Sequence, residues 1–434
     1  MRALTLDTRD AQHDETIYRG RLDGMAEHID NDITSATSAD ATLAIGGFGP
    51  LNGSHCPGIE AVTLHISPST HADDNHESVA LSKRDGLLAD VPSPSWLERD
   101  GDYLYAVLEN TSEIAAFRIA HDSNDTLHLT ELSRVPTPGN GPTHAAVAVD
   151  DLGTKHLIVA CYVDGHVCVH PIDSDGAVHE ATQVLIGEGH GPLPAQEGPH
   201  AHWILPLPDG RVLSTDLGAD RIYVHRWQAG TLTRVGTVTV TPGTGPRDMH
   251  LLPVRTGHIP THDWRVAVVG EWGRTVTLLG PVNNDEADRT HNATDDSSDG
   301  ISVLQTVELG GTDRDQSASL AFVPWSAMRT NGADSAGNIA GIAYAGLRGT
   351  ERIVALAWNG ERLSRLAPTD QPGWQGHGID CGGSRPRHIL PIDNLLLVAN
   401  EVSDHLTVFQ LSSDGEPHRV TDLATGSPTV SVVF

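Results

Sequence analysis

One β-rich pattern recurs along this chain of 434 residues, and its spacing constrains the fold more than any other feature. Each copy has an apolar strand, a turn with Asp, Asn or Gly, a second strand, and a polar turn that leads to a third. Six copies stand out, at residues 103–119, 156–172, 211–227, 265–281, 339–358 and 394–411. The equivalent positions Ala106, Ala160, Thr215, Val269, Ala345 and Ala399 are separated by steps of 54, 55, 54, 76 and 54 residues. A seventh copy over residues 41–66 completes the set.

The pattern within each copy predicts an all-β protein. Apolar residues alternate with period two, the turns are rich in Gly, Asp and Asn, and helical periodicity with capping residues is scarce. Many short antiparallel strands expose edges, and radial repetition around a central channel protects them. We therefore predict a seven-bladed β-propeller of four-stranded antiparallel blades.

Three further segments complete the predicted organisation. The final run, residues 428–434, reads as a single strand that pairs with the strands near residue 41 and closes the ring. Residues 1–40 show no copy of the pattern and are expected to form an N-terminal extension to a propeller of residues 41–434. The one long step contains an acidic insertion, residues 283–300, which has few large apolar side chains and is expected to be a solvated loop between blades.

Charge and composition narrow the classes of partner. Asp and Glu number 57 against 28 Lys and Arg, a formal net charge of −29, which disfavours nucleic acid and anionic membrane surfaces. The N-terminal residues lack the apolar run of a signal peptide, so we expect a cytoplasmic protein. We also expect it to be a monomer or a homodimer. The four cysteines form no Cys-x-x-Cys pair and no calcium-loop spacing occurs, so we expect neither a metal nor a cofactor.

A stiff turn followed by His or Arg recurs in four copies. The segments are 139–147, 197–205, 243–252 and 383–390, and we expect each to precede the first inner strand of its blade. Because proline fixes φ and restricts the residue before it, such a turn holds the next side chain at a defined angle to the channel. The candidate residues for substrate binding or catalysis are His144, His200, His202, Arg247, His250, Arg387 and His388.

A second polar set is expected at the end of the first inner strands. It comprises Glu109, Tyr162, Asp216, Glu271, Arg348 and Glu401. Guanidinium groups grip carboxylates or phosphates, and imidazoles and carboxylates move protons. Several arginines in one channel would repel each other unless acids or an anion lay among them, so we predict a ligand site there.

These motifs resemble the seven-bladed lactonase family that contains cycloisomerase-type 6-phosphogluconolactonases and carboxy-cis,cis-muconate cyclising enzymes. The resemblance spans about residues 41–434 and is most specific over residues 198–227, GPHAHWILPLPDGRVLSTDLGADRIYVHRW. It implies that His202, Arg247 and Glu271 are catalytic and that Arg348 and Arg387 bind the substrate. The residues that depart from the family pattern are Gly270, Leu347 and Asp248.

The resemblance implies hydrolysis of a small anionic sugar lactone, 6-phospho-D-glucono-1,5-lactone, in the oxidative pentose phosphate pathway. Either Glu271 or His202 would be the general base, Arg247 would stabilise the oxyanion, and Arg348 and Arg387 would hold the phosphate. His200, His144 and His388 are further candidates for substrate binding. Two alternatives remain open, namely the cyclisation of a carboxymuconate and a non-catalytic propeller that binds a partner.

Overall fold

A computed structural model describes residues 39–67, 78–123, 126–254, 257–282, 298–328 and 339–434. Residues 1–38, most of the predicted N-terminal extension, lie outside these ranges. The described residues form 29 β-strands and two short 3₁₀ turns, Pro50–Asn52 and Trp325–Met328. Among them, no helix has the length and apolar character needed to cross a membrane.

Seven antiparallel sheets contain all the strands, as the repeat predicts. We number the blades from the N-terminus. Blade 1 contains β1 (Ala39–Gly47), β2 (Ile59–Ser67), β3 (Ser78–Ala89) and the C-terminal β29 (Pro428–Val433). The strands of blades 2 to 4 are β4 (Pro94–Asp100), β5 (Tyr103–Leu108), β6 (Glu113–His121), β7 (Leu127–Pro136), β8 (Pro142–Val149), β9 (Lys155–Cys161), β10 (His166–Pro171), β11 (Gln183–Ile186), β12 (Ala201–Pro206), β13 (Val212–Asp216), β14 (Arg221–Gln228) and β15 (Thr231–Thr239). The strands of blades 5 to 7 are β16 (Pro246–Leu252), β17 (Arg265–Gly270), β18 (Thr275–Pro281), β19 (Ile301–Glu308), β20 (Gln316–Pro324), β21 (Gly341–Arg348), β22 (Arg352–Trp358), β23 (Leu363–Arg365), β24 (Ile379–Asp380), β25 (Pro386–Ile392), β26 (Leu395–Asn400), β27 (His405–Leu411) and β28 (Pro417–Ala424).

The two ends of the described chain meet in blade 1 and confirm the predicted closure. Strand β29 is the innermost strand of that blade and pairs antiparallel with β1, with Leu43 opposite Val433 and Ile45 opposite Ser431. The Phe434 N–H donates to the Thr42 carbonyl at 2.9 Å. Blade 1 therefore takes three strands from one end of the chain and one from the other.

The acidic insertion does not connect two blades, contrary to our expectation. Strands β18 and β19, which flank it, pair in the same sheet of blade 5, with Pro281 opposite Ile301. The insertion is thus a connection within one blade. Its residues 283–297 lie outside the described residues.

Apolar faces of neighbouring blades pack against each other and form the core. Trp264 and Trp358 are fully buried between blades, and the four cysteines are buried with free thiols. Hydrogen bonds between innermost strands join neighbouring blades. Thr143 Oγ1 donates to the His202 carbonyl at 3.2 Å, and Thr429 Oγ1 donates to the Ser95 carbonyl at 2.8 Å.

A buried histidine in blade 4 makes the fold sensitive to acid. Burial, with a smaller effect from Arg234, lowers the pKa of His225 to about 3, and His225 Nε2 hydrogen-bonds with Ser214 Oγ at 2.9 Å. The unfolded chain therefore binds a proton below about pH 6.5 that the folded chain rejects, so stability falls as pH falls from there towards 3.

We expect His225→Gln to flatten this dependence, because glutamine keeps a partner for Ser214 without titrating. The free energy of unfolding is measured in urea at several pH values between 7 and 4. Its dependence on pH should be less steep in the variant than in the wild type, by up to about 1.4 kcal/mol per pH unit. An unchanged slope would show that His225 is already protonated in the folded protein.

Candidate active site

The innermost strand of every blade has an irregular register near its first residues. At that point the innermost strand has one or two residues that lack a directly opposite partner on the second strand, as in a β-bulge. A bulge re-aims a side chain and commonly lies beside active sites. The residues at the seven irregularities are Thr429, Ser95, Thr143, His202 with Trp203, Arg247 with Asp248, Ala318 with Ser319, and Arg387.

The predicted motifs therefore lie one strand further in than expected. The segments with the Pro turns do not precede the first inner strands but form their first residues, as Pro246 and Arg247 do in β16. The second polar set lies at the end of the second strand in blades 2 to 7, as Glu271 does after β17. Because these two strands are antiparallel, the start of one and the end of the other meet at the same face of the ring.

The irregularities direct side chains from several blades into one small central cavity. Its volume is about 20 Å³, which is room for about one water molecule. The lining residues are Ser95, Trp96, Glu109, Thr143, His202, Trp203, Arg247, Asp248, Arg387, His388 and Thr429. The catalytic candidates His202 and Arg247 lie in this lining, although 45 residues separate them in sequence.

An ion-pair network joins the other candidates to this cavity. Glu271 Oε2 lies 3.0 Å from Arg247 Nε and 2.9 Å from Arg348 Nη2. Arg247 Nη1 also pairs with Asp248, and Arg387 Nη1 lies 3.1 Å from Glu401 Oε2. Acids thus lie among the arginines, and the cluster does not require a bound anion to offset its charge.

The network keeps Glu271 ionised. Burial alone would raise the pKa of its carboxyl, but Arg348, Arg247 and Arg387 outweigh that effect and lower the pKa. A carboxylate with a lowered pKa, held by two guanidinium groups, is a weak base at neutral pH. Burial also lowers the pKa of Arg348, to about 10, which still leaves that side chain charged.

His202 is a buried imidazole without a strong partner. Its Nδ1 atom lies 3.9 Å from Asp248 Oδ1 and makes no hydrogen bond within the described residues. Burial, followed by the positive charges of Arg247 and Arg387, holds the pKa of His202 well below 6.5. At neutral pH the ring is therefore uncharged and can accept a proton.

Two of the other four predicted histidines, His144 and His388, have contacts that support the channel wall. His144 stacks on Trp203 with 3.7 Å between ring centroids, and its Nδ1 accepts the Ile204 N–H of the next blade at 3.2 Å. His388 lines the cavity, and its Nδ1 accepts the N–H of Ser431 at 3.3 Å.

His200 lies beside the channel and not in the cavity lining. Its ring stacks on Tyr162, and its Nδ1 bonds to the Tyr162 carbonyl at 2.7 Å. That His144, His200 and His388 bind substrate stays a prediction.

Several lining residues were not among the sequence candidates. Ser95, Thr143 and Thr429 each follow a proline that begins an innermost strand, as Arg247 and Arg387 do. A position directly after the first proline of an innermost strand is therefore the sequence signal that predicts these lining residues. Asp248 was visible only as a departure from the family pattern, and it now proves to contact Arg247.

No group of three or more His, Cys, Asp or Glu side chains within the described ranges is arranged to hold a metal ion. The chemistry that the site can perform is proton transfer by His202 combined with charge stabilisation by guanidinium groups. That combination suits the hydrolysis of an ester carbonyl.

Comparisons with known proteins agree with this fold. The family model described as Lactonase, 7-bladed beta-propeller matches residues 68–296, more than half of the chain. A 6-phosphogluconolactonase of Bacillus subtilis (strain 168) is 25% identical over 365 residues, which are 82% of this chain and 90% of the relative. A solved structure from Lactobacillus plantarum has a TM-score of 0.66 at 24% identity and covers 91% of this chain and 100% of its own. The solved structure of the periplasmic gluconolactonase of Pseudomonas aeruginosa has a TM-score of 0.65 at 22% identity. It covers 91% of this chain and 99% of its own. Both solved structures share the fold, and the match to the family model shows that this chain belongs to the seven-bladed β-propeller lactonase family.

Proposed function

We propose that this protein hydrolyses a sugar lactone, and that its substrate is 6-phospho-D-glucono-1,5-lactone of the oxidative pentose phosphate pathway. The observation that carries the proposal is that His202 and Arg247 line the central cavity from two different blades, with Glu271 paired to Arg247. The named activity of the Bacillus subtilis relative supports the choice of substrate.

In the proposed reaction His202 is the general base. Its ring is uncharged at neutral pH and its Nδ1 is unbonded, whereas Glu271 is held by two arginines. His202 takes a proton from the water that attacks the lactone carbonyl. Glu271 then has a positioning role, because it fixes the guanidinium of Arg247 beside the cavity.

Arg247 stabilises the negative oxygen of the tetrahedral intermediate. It lines the cavity, and its guanidinium is held by Asp248 and Glu271, so little reorganisation is needed when charge develops on the substrate. Such a preorganised donor acts most strongly where water is excluded.

Of the two arginines predicted to bind substrate, Arg387 is the better candidate for the phosphate. It lines the cavity and its side chain is 18% exposed, whereas the Arg348 side chain is 3% exposed and is committed to Glu271. We propose that Arg387 binds the phosphate and that Arg348 chiefly holds Glu271.

We expect Arg387→Gln to lower kcat/KM for the phosphorylated lactone by about 10- to 100-fold, the effect of one hydrogen bond to a charged group. The same variant should hydrolyse the unphosphorylated lactone at nearly the wild-type rate. The measurement is loss of lactone at near-neutral pH, corrected for spontaneous hydrolysis. Equal losses on both substrates would contradict a phosphate contact.

An unphosphorylated gluconolactone is a second candidate substrate. The observation in its favour is that Arg247, Arg348 and Arg387 each already pair with a carboxylate, which leaves little unmatched positive charge for a phosphate. A wild-type kcat/KM that is higher for the unphosphorylated lactone would select it. Turnover of a carboxymuconate in place of both would favour cyclisation, and no turnover of any would favour a non-catalytic binding protein. Cytoplasmic location and a monomeric or dimeric state stay predictions.

A further inference from the structure

Blades 2, 5 and 7 have equivalent residues at two positions, and of these Ser95, Glu109, Arg247 and Arg387 line the cavity. The innermost strand of each begins with a proline opposite the last residue of the second strand: Pro94 with Leu108, Pro246 with Gly270, and Pro386 with Asn400. In each of these blades, the residue after the proline and the residue after the end of the second strand form a pair. These pairs are Ser95 with Glu109, Arg247 with Glu271, and Arg387 with Glu401.

Blade 2 departs from the other two because it has a serine where they have an arginine. In blades 5 and 7 the arginine forms an ion pair with the glutamate of its own blade, at 3.0 and 3.1 Å. Glu109 forms no ion pair within 4.0 Å among the described residues; the Ser95 hydroxyl lies beside it, and Arg387 and Arg247 of the other blades act on it from farther away. Glu109 is thus the one glutamate of the three without an arginine from its own blade.

The surroundings of Glu109 favour its protonated form. Burial raises the pKa of its carboxyl, and the negative charge of Glu401 adds to that effect. Arg387, the Ser95 hydroxyl and Arg247 oppose it, but the pKa remains above its ordinary value. The other titratable groups that line the same cavity are His202, Asp248 and His388.

The cavity lining also has a buried polar atom without a hydrogen bond. His202 Nδ1 makes no hydrogen bond within the described residues, whereas the Ser95 hydroxyl lies beside the Glu109 carboxyl. Buried polar atoms are normally hydrogen-bonded, so the unbonded His202 Nδ1 in the same lining as Glu109 suits a polar ligand in this cavity. A proton acceptor on one side and a carboxyl on the other would flank such a ligand.

We propose that Glu109 is the general acid of the reaction and donates a proton to the ring oxygen that leaves when the lactone opens. This inference rests on the proposed function. Water oxygen forms a bond to the carbonyl carbon, and His202 takes one water proton. The carbon–oxygen bond of the ring then breaks, and its electron pair takes the proton of Glu109, which yields the hydroxy acid. The proton on His202 returns through solvent to Glu109.

Two groups with oppositely perturbed pKa values are the recurring sign of an acid and a base at one site. The pKa of His202 is lowered, which leaves its ring free to accept a proton, while burial raises the pKa of Glu109, which favours the carboxyl form that can donate one. Glu271 and Glu401 are less suited to this role, because each is engaged in an ion pair with an arginine of its own blade.

The test compares Glu109→Gln and Glu109→Asp with the wild type. We expect Glu109→Gln to lower kcat by about 10²-fold or more, the usual contribution of a general acid, while KM changes little. In the wild type kcat should fall as pH rises through the pKa of Glu109, and that alkaline limb should vanish in Glu109→Gln. Glu109→Asp, which keeps the carboxyl, should recover part of the rate. The matched control is Glu131→Gln, which removes a surface carboxylate that pairs with Arg134 and should leave kcat unchanged.

A spectroscopic measurement tests the proton itself without activity. An infrared difference spectrum between wild type and Glu109→Gln at neutral pH should show the carbonyl stretch of one protonated carboxyl. Ser95→Arg supplies the arginine that blades 5 and 7 have, and it should ionise Glu109 and abolish that band. If Ser95→Arg does not fold, the comparison with Glu109→Gln still decides the question.

Three outcomes have separate meanings. A wild type that opens no lactone overturns the proposed function and with it the acid role. A wild type that is active, with Glu109→Gln equally active and the same pH profile, overturns only the assignment of Glu109. A missing carboxyl band at neutral pH also overturns that assignment, whatever the activity.

Discussion

Turnover of the lactone is expected to fall by about 10²- to 10⁴-fold when His202 is replaced by glutamine, because general-base catalysis contributes a factor of that size. Glutamine has a similar length and polarity but cannot take a proton from water. The variant should therefore retain substrate affinity and lose kcat. Steady-state kinetics at neutral pH measure both quantities.

The same experiment decides between the two candidate bases. His128→Gln, at an exposed histidine beside Asp122, is the matched control and should have wild-type kinetics. If His202→Gln kept more than about a tenth of the wild-type kcat, the base would be Glu271, and the ion pairs that hold it would have to open during the reaction.

Replacement of Arg247 by alanine is expected to damage both catalysis and stability. Loss of one preorganised oxyanion donor costs about 10²- to 10³-fold in kcat. The change also leaves the buried acids Glu271 and Asp248 without one of their partners, and breaking a buried ion pair typically costs about 3–5 kcal/mol of unfolding free energy. Urea unfolding and kinetics on the same preparation give the two values.

The stability effect should depend on pH in a predictable direction. Because the arginines lower the pKa of Glu271 in the folded protein, their stabilisation is present above the ordinary carboxyl pKa and is lost as pH falls. The difference in unfolding free energy between the wild type and Arg247→Ala should therefore become smaller at acid pH. Arg134→Ala, which opens the surface pair with Glu131, is the control and should cost less than about 1 kcal/mol. An Arg247→Ala variant with near-normal lactone hydrolysis would discard the oxyanion role.

The ring of blades could be predicted because each blade repeats the same local chemistry. Alternating apolar residues and Gly, Asp or Asn turns specify strands and hairpins wherever they occur, and their regular spacing specifies the number of blades. The closure by β29 was predictable for the same reason, since residues 428–434 follow the last repeat as a single strand-like run. The position of the acidic insertion was not, because spacing alone does not show between which strands extra residues fall.

The details of the site depend on register, which sequence does not reveal. The prolines marked stiff turns, but only pairing across strands shows that the residues after them lie in β-bulges and enter the channel. Sequence also marked a cluster of arginines without showing which acid each one meets. Apart from Arg247 with its neighbour Asp248, those pairings join residues 14 or more positions apart, such as Arg387 with Glu401 and Arg348 with Glu271.

Closure of blade 1 by the last strand has a consequence for biosynthesis. As the ribosome releases the chain, β1 has no neighbour on its inner side until residues 428–434 have been made. Six blades can form before that moment, but an unpaired edge of the nascent protein stays open to other chains throughout. The synthesis of residues 428–434 should thus separate a state that aggregates from one that is protected, and a ribosome stalled just before residue 428 would hold the former.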